Sequence, residues 1–206
     1  MEAENTSKGR PRVLIVLAIV AAASIAFDQV SKLLVVAHLE LGEVVPVLGT
    51  LIQFQFVKNP GAAFSIGNAY TWIFSILAAV VTAFIIWFSR RIRSYAWAWV
   101  FGLLLGGTIG NLLDRLFREP GFGVGHVIDF ITIPVLPAIF NLADVSITSA
   151  MVLFIILTIR GIGLDGRRAV NERATNADSE SDDQSAASDD VSTSDAPVVD
   201  EKSDRA

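Results

Sequence analysis

The chain has 206 residues, of which 52% are hydrophobic and 18% charged, with a mean hydropathy of +0.55 and a formal net charge of −5. These averages exclude an ordinary soluble domain, and with no Cys and two His they also exclude a disulfide framework, a thiolate metal centre, a cysteine nucleophile and a histidine-rich metal cage. The acidity is local: residues 174–206 hold ten acidic side chains against Lys202 and Arg205, whereas the remainder is mildly basic, with scattered cations that do not form the stripe a nucleic acid needs.

A hydrocarbon core about 30 Å thick takes roughly 20 mostly apolar helical residues. Four such runs occur, at 13–27 continuing through 28–38, at 70–88, at 95–113 and at 142–159. Lys8, Arg10 and Arg12 ahead of a stretch ending Ser24-Ile25-Ala26 imitate a secretory signal peptide, but three further spans and the charge pattern favour a first span that is retained. Between the first two spans, apolar pieces flank Gly49-Thr50 and Gln53-Phe54-Gln55-Phe56 alternates with period two, which predicts a small outward-facing sheet or hairpin at the membrane surface before a turn at Asn59-Pro60-Gly61. The fold class expected is a membrane all-α protein of four transmembrane helices with a small β-cradle between helices 1 and 2. Positive charge concentrates in three flanks, at Lys8, Arg10 and Arg12, at Arg90, Arg91 and Arg93, and at Arg160, Arg167 and Arg168, so both termini are predicted to be cytoplasmic. Residues 1–12 then form a cytoplasmic N-terminus, 13–165 a membrane domain, and 166–206, rich in Ser, Asp and Ala, a disordered acidic cytoplasmic tail.

This topology gathers the polar residues at one depth near the outer interface: Asp28 and Lys32 on span one, Asn111, Asp114 and Arg115 on span three, Asp129 in the following loop, Asn141 and Asp144 at the start of span four, and Asn59 beside them. Ionisable groups there are costly enough to point to a functional site. Asp28 and Lys32, at i and i+4, share a helix face and are equally read as a plain interfacial pair with Lys32 snorkelling. Asn111, Asp114 and Arg115 make a polar corner that ordinary interhelical hydrogen bonding would also explain. Asp144 opens a helix, as a capping acid does, but no such reading explains Asp129 in the apolar stretch Val127-Ile128-Asp129-Phe130-Ile131. If the two carboxyls meet, one keeps its proton while the other acts as base, the division of labour by which aspartic proteases activate water. Pro134 and Pro137 allow the chain to turn back between them. Other hydrolase signatures fail: Ala63-Phe64-Ser65-Ile66-Gly67 lacks one glycine of a nucleophile elbow, there is no HExxH, and Gly106-Gly107 suits close helix packing, with no phosphate-loop Lys nearby.

The ordered pieces Asp28-Gln29-Val30-Ser31-Lys32, Asn59-Pro60-Gly61-Ala62-Ala63-Phe64, Gly106-Gly107 with Gly110-Asn111-Leu112-Leu113-Asp114-Arg115, Val127-Ile128-Asp129-Phe130 and Phe140-Asn141-Leu142-Ala143-Asp144 resemble the lipoprotein signal peptidase (signal peptidase II) family of bacterial membrane aspartic proteases. The resemblance implies an endopeptidase that cuts lipid-modified prolipoproteins before a diacylglyceryl-bearing cysteine, in the bacterial cytoplasmic membrane and near its outer face. It implies Asp129 and Asp144 as the catalytic pair, Asn59, Asn111, Arg115 and Asn141 lining the site, and Asp28, Lys32, Gly107, Asp114 and Ala143 supporting it. Neither metal nor organic cofactor is implied; membrane lipids and prolipoproteins are the expected partners, and the protein is expected to be a monomer. Residues 117–122, with Glu119-Pro120-Gly121, are longer than the usual family link, and the acidic tail lies outside the family core. The rivals are a small ion transporter using Asp28, Lys32, Asp129 and Asp144 as a relay, which the uncharged centres of spans two to four disfavour, and a membrane subunit whose tail recruits a partner.

Overall fold

The computed structural model describes residues 5–61, 71–136 and 138–168. The tail expected to be disordered from 166 lies outside them beyond Arg168, as does the Ala62-Ala63-Phe64 part of the second motif. Four helices, α1 (Asn5–His38), α2 (Thr71–Ser89), α3 (Tyr95–Phe117) and α4 (Leu142–Ile159), carry the four apolar runs. All four are long and apolar enough to cross a membrane. A helix is the form such runs take because hydrocarbon offers no partner for an unpaired peptide group.

The buried stripe of α1 runs Val13, Leu17, Val20, Ser24, Asp28, Lys32, Val35, in steps of three or four, while Ile15, Ile19, Phe27, Val30, Leu33 and Leu34 stay exposed. This inverts the soluble pattern: the apolar faces meet lipid and the charges point inward. α3 is the central helix, and Gly102, Gly106 and Gly110, one every fourth residue, line its crossing with α1. A Cβ at Gly106 would lie 2.5 Å from Ser24 Cβ, and one at Gly102 would lie 2.8 Å from Val20 Cβ. Small residues at this spacing let two backbones approach where no side chain would fit. On the neighbouring face, a Cβ at Gly107 would lie 2.5 Å from the Ala143 carbonyl oxygen, which seats α4.

Four antiparallel strands, β1 (Val44–Leu48), β2 (Ile52–Asn59), β3 (Val127–Thr132) and β4 (Ile139–Phe140), form one sheet in that order. The sheet therefore extends beyond the small sheet or hairpin expected between the first two helices, because β3 and β4 come from the connection between α3 and α4. Asp129, expected in a loop, lies within β3 opposite Val57 of β2. β3 is buried from Val127 to Phe130, so both of its faces are covered and the period-two alternation that betrays a half-exposed strand is missing. One apolar cluster, with Val35, Phe56, Ile128 and Phe130, lies against the sheet; a larger one, with Leu17, Ile92, Trp97, Phe101 and Leu157, fills the other half of the bundle. Past α4 the chain folds back on the α2–α3 connection: the Arg93 and Ser94 amides both donate to the Leu164 carbonyl at 3.0 Å, and the Trp97 indole donates to the Ile162 carbonyl at 3.0 Å.

Candidate active site

Between the two apolar clusters, polar side chains from α1, β2, α3, β3 and the start of α4 meet. Lys32 is fully buried and does not snorkel. An ammonium has three protons to place, and each has an acceptor: Asp28 Oδ2 at 2.8 Å, Asp114 Oδ2 at 2.7 Å and Asn111 Oδ1 at 3.0 Å. Each carboxylate then ties a second element into the cluster. Asp28 Oδ1 accepts the Ala143 amide at 2.9 Å, one of the donors a helix start leaves without an internal partner. Asp114 Oδ2 accepts the Ile128 amide at 3.2 Å, which pins β3 to α3. Two side chains with no role assigned from sequence complete the set. Arg118 Nε donates to Asp114 Oδ1 at 2.6 Å, and the Gln29 amide bridges Asp28, Asp114 and the Gly110 carbonyl. The i,i+4 spacing of Asp114 and Arg118 was the available signal for the first. Two carboxylates thus face two cations, and the pairing offsets a desolvation cost that would otherwise be several kcal/mol per ion.

Two asparagines extend this cluster to the remaining carboxylates. Asn111 Oδ1 accepts from Lys32 and from Asn141 Nδ2 at 3.1 Å, so its Nδ2 turns the other way and donates to Asp144 Oδ1 at 2.8 Å. Asn141 is fully buried and touches both acids: Nδ2 donates to Asp129 Oδ1 at 2.6 Å, and the backbone amide donates to Asp144 Oδ2 at 3.2 Å. The Asp144 amide donates back to Asn141 Oδ1 at 3.1 Å, so the same residue caps α4 in a reciprocal capping box. The β3–β4 pairing, with Ile131 opposite Phe140, brings Asn141 alongside Asp129. From the other side, Asn59 pairs with Val127, diagonal to Asp129, and its Nδ2 donates to Asp129 Oδ2 at 2.7 Å. Asn59 Oδ1 is meanwhile held by the Gly61 amide at 2.8 Å.

Asp129 is 3% exposed, and its carboxyl is pushed up to about 6. Burial is the main cause and the like charge of Asp144 adds to it; the donors Asn59 and Asn141 and the Lys32 ammonium act in the opposite direction. Arg115 does not hydrogen-bond either acid. One guanidinium NH₂ donates to the Asn111 carbonyl at 3.1 Å, while Nε is buried with no partner. Beside Asp144 a cavity of about 730 Å³ opens along α4, lined by Leu136, Phe140, Val145, Thr148, Ser149 and Val152. Among the described residues no three His, Cys, Asp or Glu side chains are grouped as metal ligands. The arrangement is two carboxyls joined through Asn141, one of them withdrawn from water, at the head of an apolar groove.

Residues 20–160 match the family model described as signal peptidase (SPase) II. The chain is 61% identical over 170 residues to the lipoprotein signal peptidase of Leifsonia xyli subsp. xyli, covering 82% of this chain and 79% of that one. It is 44% identical over 164 residues to the lipoprotein signal peptidase of Streptomyces griseus subsp. griseus, covering 80% and 83%. Its fold is similar to that of a bacterial membrane enzyme solved by the in meso method at 1.9 Å resolution, with a TM-score of 0.62 and 26% identity over 70% of this chain and 92% of that one.

Proposed function

The chain belongs to the signal peptidase II family of membrane proteases, and from that premise we propose that it removes the signal peptides of prolipoproteins with Asp129 and Asp144 as its catalytic pair. The observation that carries the assignment is Asn141, which donates to one carboxyl through its side chain and to the other through its backbone. In an acid–base pair of this kind one carboxyl acts ionised and the other protonated. The ionised member takes a proton from water as its oxygen attacks the scissile carbonyl; the protonated member gives its proton to the carbonyl oxygen. Collapse of the tetrahedral species breaks the C–N bond and returns a proton to the departing nitrogen, which is that of the lipid-bearing cysteine. Asn59, Asn111 and Asn141 fix the carboxyls so that little reorganisation accompanies the reaction.

Substrate chemistry fits the position of the pair. The groove leading from Asp144 is apolar and takes a signal-peptide segment or acyl chain without leaving lipid, while the sheet covers the scissile peptide. By the positive-inside rule the sheet end faces outward across the bacterial cytoplasmic membrane, with both termini inside. One chain supplies every residue of the site, so a monomer suffices. The peptidase domain is 13–165, and the acidic segment 166–206 takes no part in cleavage.

The test is cleavage of a diacylglyceryl-modified precursor, beside its unmodified form, by the wild type and by Asp129→Asn and Asp144→Asn. The expected outcome is cutting of the lipidated precursor alone, lowered by about 10²–10⁴-fold or more in each variant. Variants that cut at the wild-type rate would remove the pair from the mechanism.

A further inference from the structure

At the end of the bundle opposite the sheet, Arg90, Arg91 and Arg93 crowd the five-residue connection between α2 and α3 and are all exposed. They are the rim of a cavity of about 520 Å³ whose remaining lining is Leu164 and Asp165. The cavity is built by backbone bonds. The Leu164 carbonyl accepts both the Arg93 and the Ser94 amide, the Gly166 amide closes on the Gly163 carbonyl at 2.8 Å, and Ile162 bridges to Arg168, so residues 161–168 stand as a fixed wall. Arg91 is fixed too: its guanidinium lies 5.1 Å from the centre of the Trp87 ring and 5.8 Å from that of Phe88. A guanidinium stacked on an aromatic face keeps its in-plane N–H edge free for an oxyanion.

The chemistry of the occupant follows from what borders the pocket. Arg91 and Arg93 against the one carboxylate of the lining, Asp165, favour an anion, and guanidinium forks match phosphate oxygens. The rim then passes directly onto exposed Ile86 and Trp87, side chains of a helix apolar enough to lie in hydrocarbon. A free phosphate would leave that apolar border unused, and a hydrocarbon chain alone would leave the Arg91 and Arg93 guanidinium groups unused. We propose that this pocket binds the headgroup of an anionic phospholipid, whose acyl chains lie against the outer face of α2. Neither the pocket nor its ligand is shared with the carboxyl pair, which lies at the other end of the bundle. The bound lipid holds the α2–α3 connection and the 161–168 turn together, because its headgroup contacts both.

The experiment uses the full chain in a neutral detergent, with phosphatidylglycerol and phosphatidylcholine of identical acyl chains and with inorganic phosphate as probes. Retained adducts are counted by native mass spectrometry and the thermal midpoint is followed in parallel. The wild type is expected to retain phosphatidylglycerol about tenfold or more over phosphatidylcholine. R90Q/R91Q/R93Q loses that preference, R93Q alone loses part of it, and Lys58→Gln, which removes a cation at the sheet end, keeps it. The single substitution guards against a triple variant that fails to fold, since the Arg93 side chain is exposed. Equal retention of the two lipids, or a preference untouched in R93Q and the triple variant, would overturn the proposal. So would inorganic phosphate that matches phosphatidylglycerol in raising the midpoint at equal concentration, because the acyl chains would then contribute nothing.

Discussion

Burial withdraws Asp129 from water and moves its carboxyl from 3.8 to about 6. A folded-state value above the unfolded one means that folding favours the protonated form. The contribution is complete below 3.8 and is lost as pH rises through about 6, on the order of 3 kcal/mol in all. Asp129→Asn cannot titrate, so its thermal midpoint in detergent is expected to gain on that of the wild type as pH is raised from 4 to 7, whatever the offset between them. Parallel curves across that range would show that Asp129 carries no such cost. The same carboxyl, held by Asn59 and Asn141, illustrates why the site tolerates it: both oxygens have donors within 2.7 Å, so the ionised form loses water but not its hydrogen bonds.

Elements meet at Asn141 and at the α3 glycines. Asn141 serves as helix cap and as bridge between the acids, and the two duties are separable. Asn141→Ser keeps a hydroxyl that caps almost as well but is too short to reach Asp129, so it is expected to melt above Asn141→Ala while kcat falls by at least tenfold. Asn141→Ala loses about 1 kcal/mol of capping as well. Melting and single-turnover cleavage of the two variants distinguish the duties, and a Ser variant with full activity would show that the bridge is dispensable. At the α1–α3 crossing, Gly106→Ala gains about 1 kcal/mol of helix propensity. Against that, the new Cβ would stand 2.5 Å from Ser24 Cβ and 2.8 Å from the Ala21 carbonyl oxygen, and backbone cannot swing aside. Overpacking of this kind costs about 1–3 kcal/mol, so a net loss of thermal stability is expected, whereas Gly121→Ala, whose nearest neighbour is 4.0 Å away, stays within about 0.5 kcal/mol of the wild type.

Across the whole molecule, the charges divide the bundle into a basic end and a site-bearing end, and the proposed orientation is directly testable because the chain has no Cys. Phe122, 79% exposed beside the sheet, and Asp165, exposed at the arginine end, are suitable positions for a single thiol. A membrane-impermeant maleimide added to intact cells is expected to label Phe122→Cys, and to label Asp165→Cys only after permeabilisation. The reverse pattern would invert the topology and place the carboxyl pair on the cytoplasmic side.

The positions of the four helices, the hairpin around Gly49-Thr50 and the family motifs were legible in the sequence, because lipid imposes a length and an apolarity on each span that no neighbour needs to supply. What the tertiary structure alone decided is how those residues connect. Asp129 reads as a loop residue until β2 and β4 flank it, and Lys32 reads as a snorkelling cation until α3 brings Asn111 and Asp114 to its ammonium. Gln29 acquires partners, and Arg115 lacks one at Nε, through contacts whose geometry no spacing along the chain records. Hydrogen bonds between elements depend on distances set by glycine-mediated helix crossings and strand register, and those distances exist only once the chain has closed on itself.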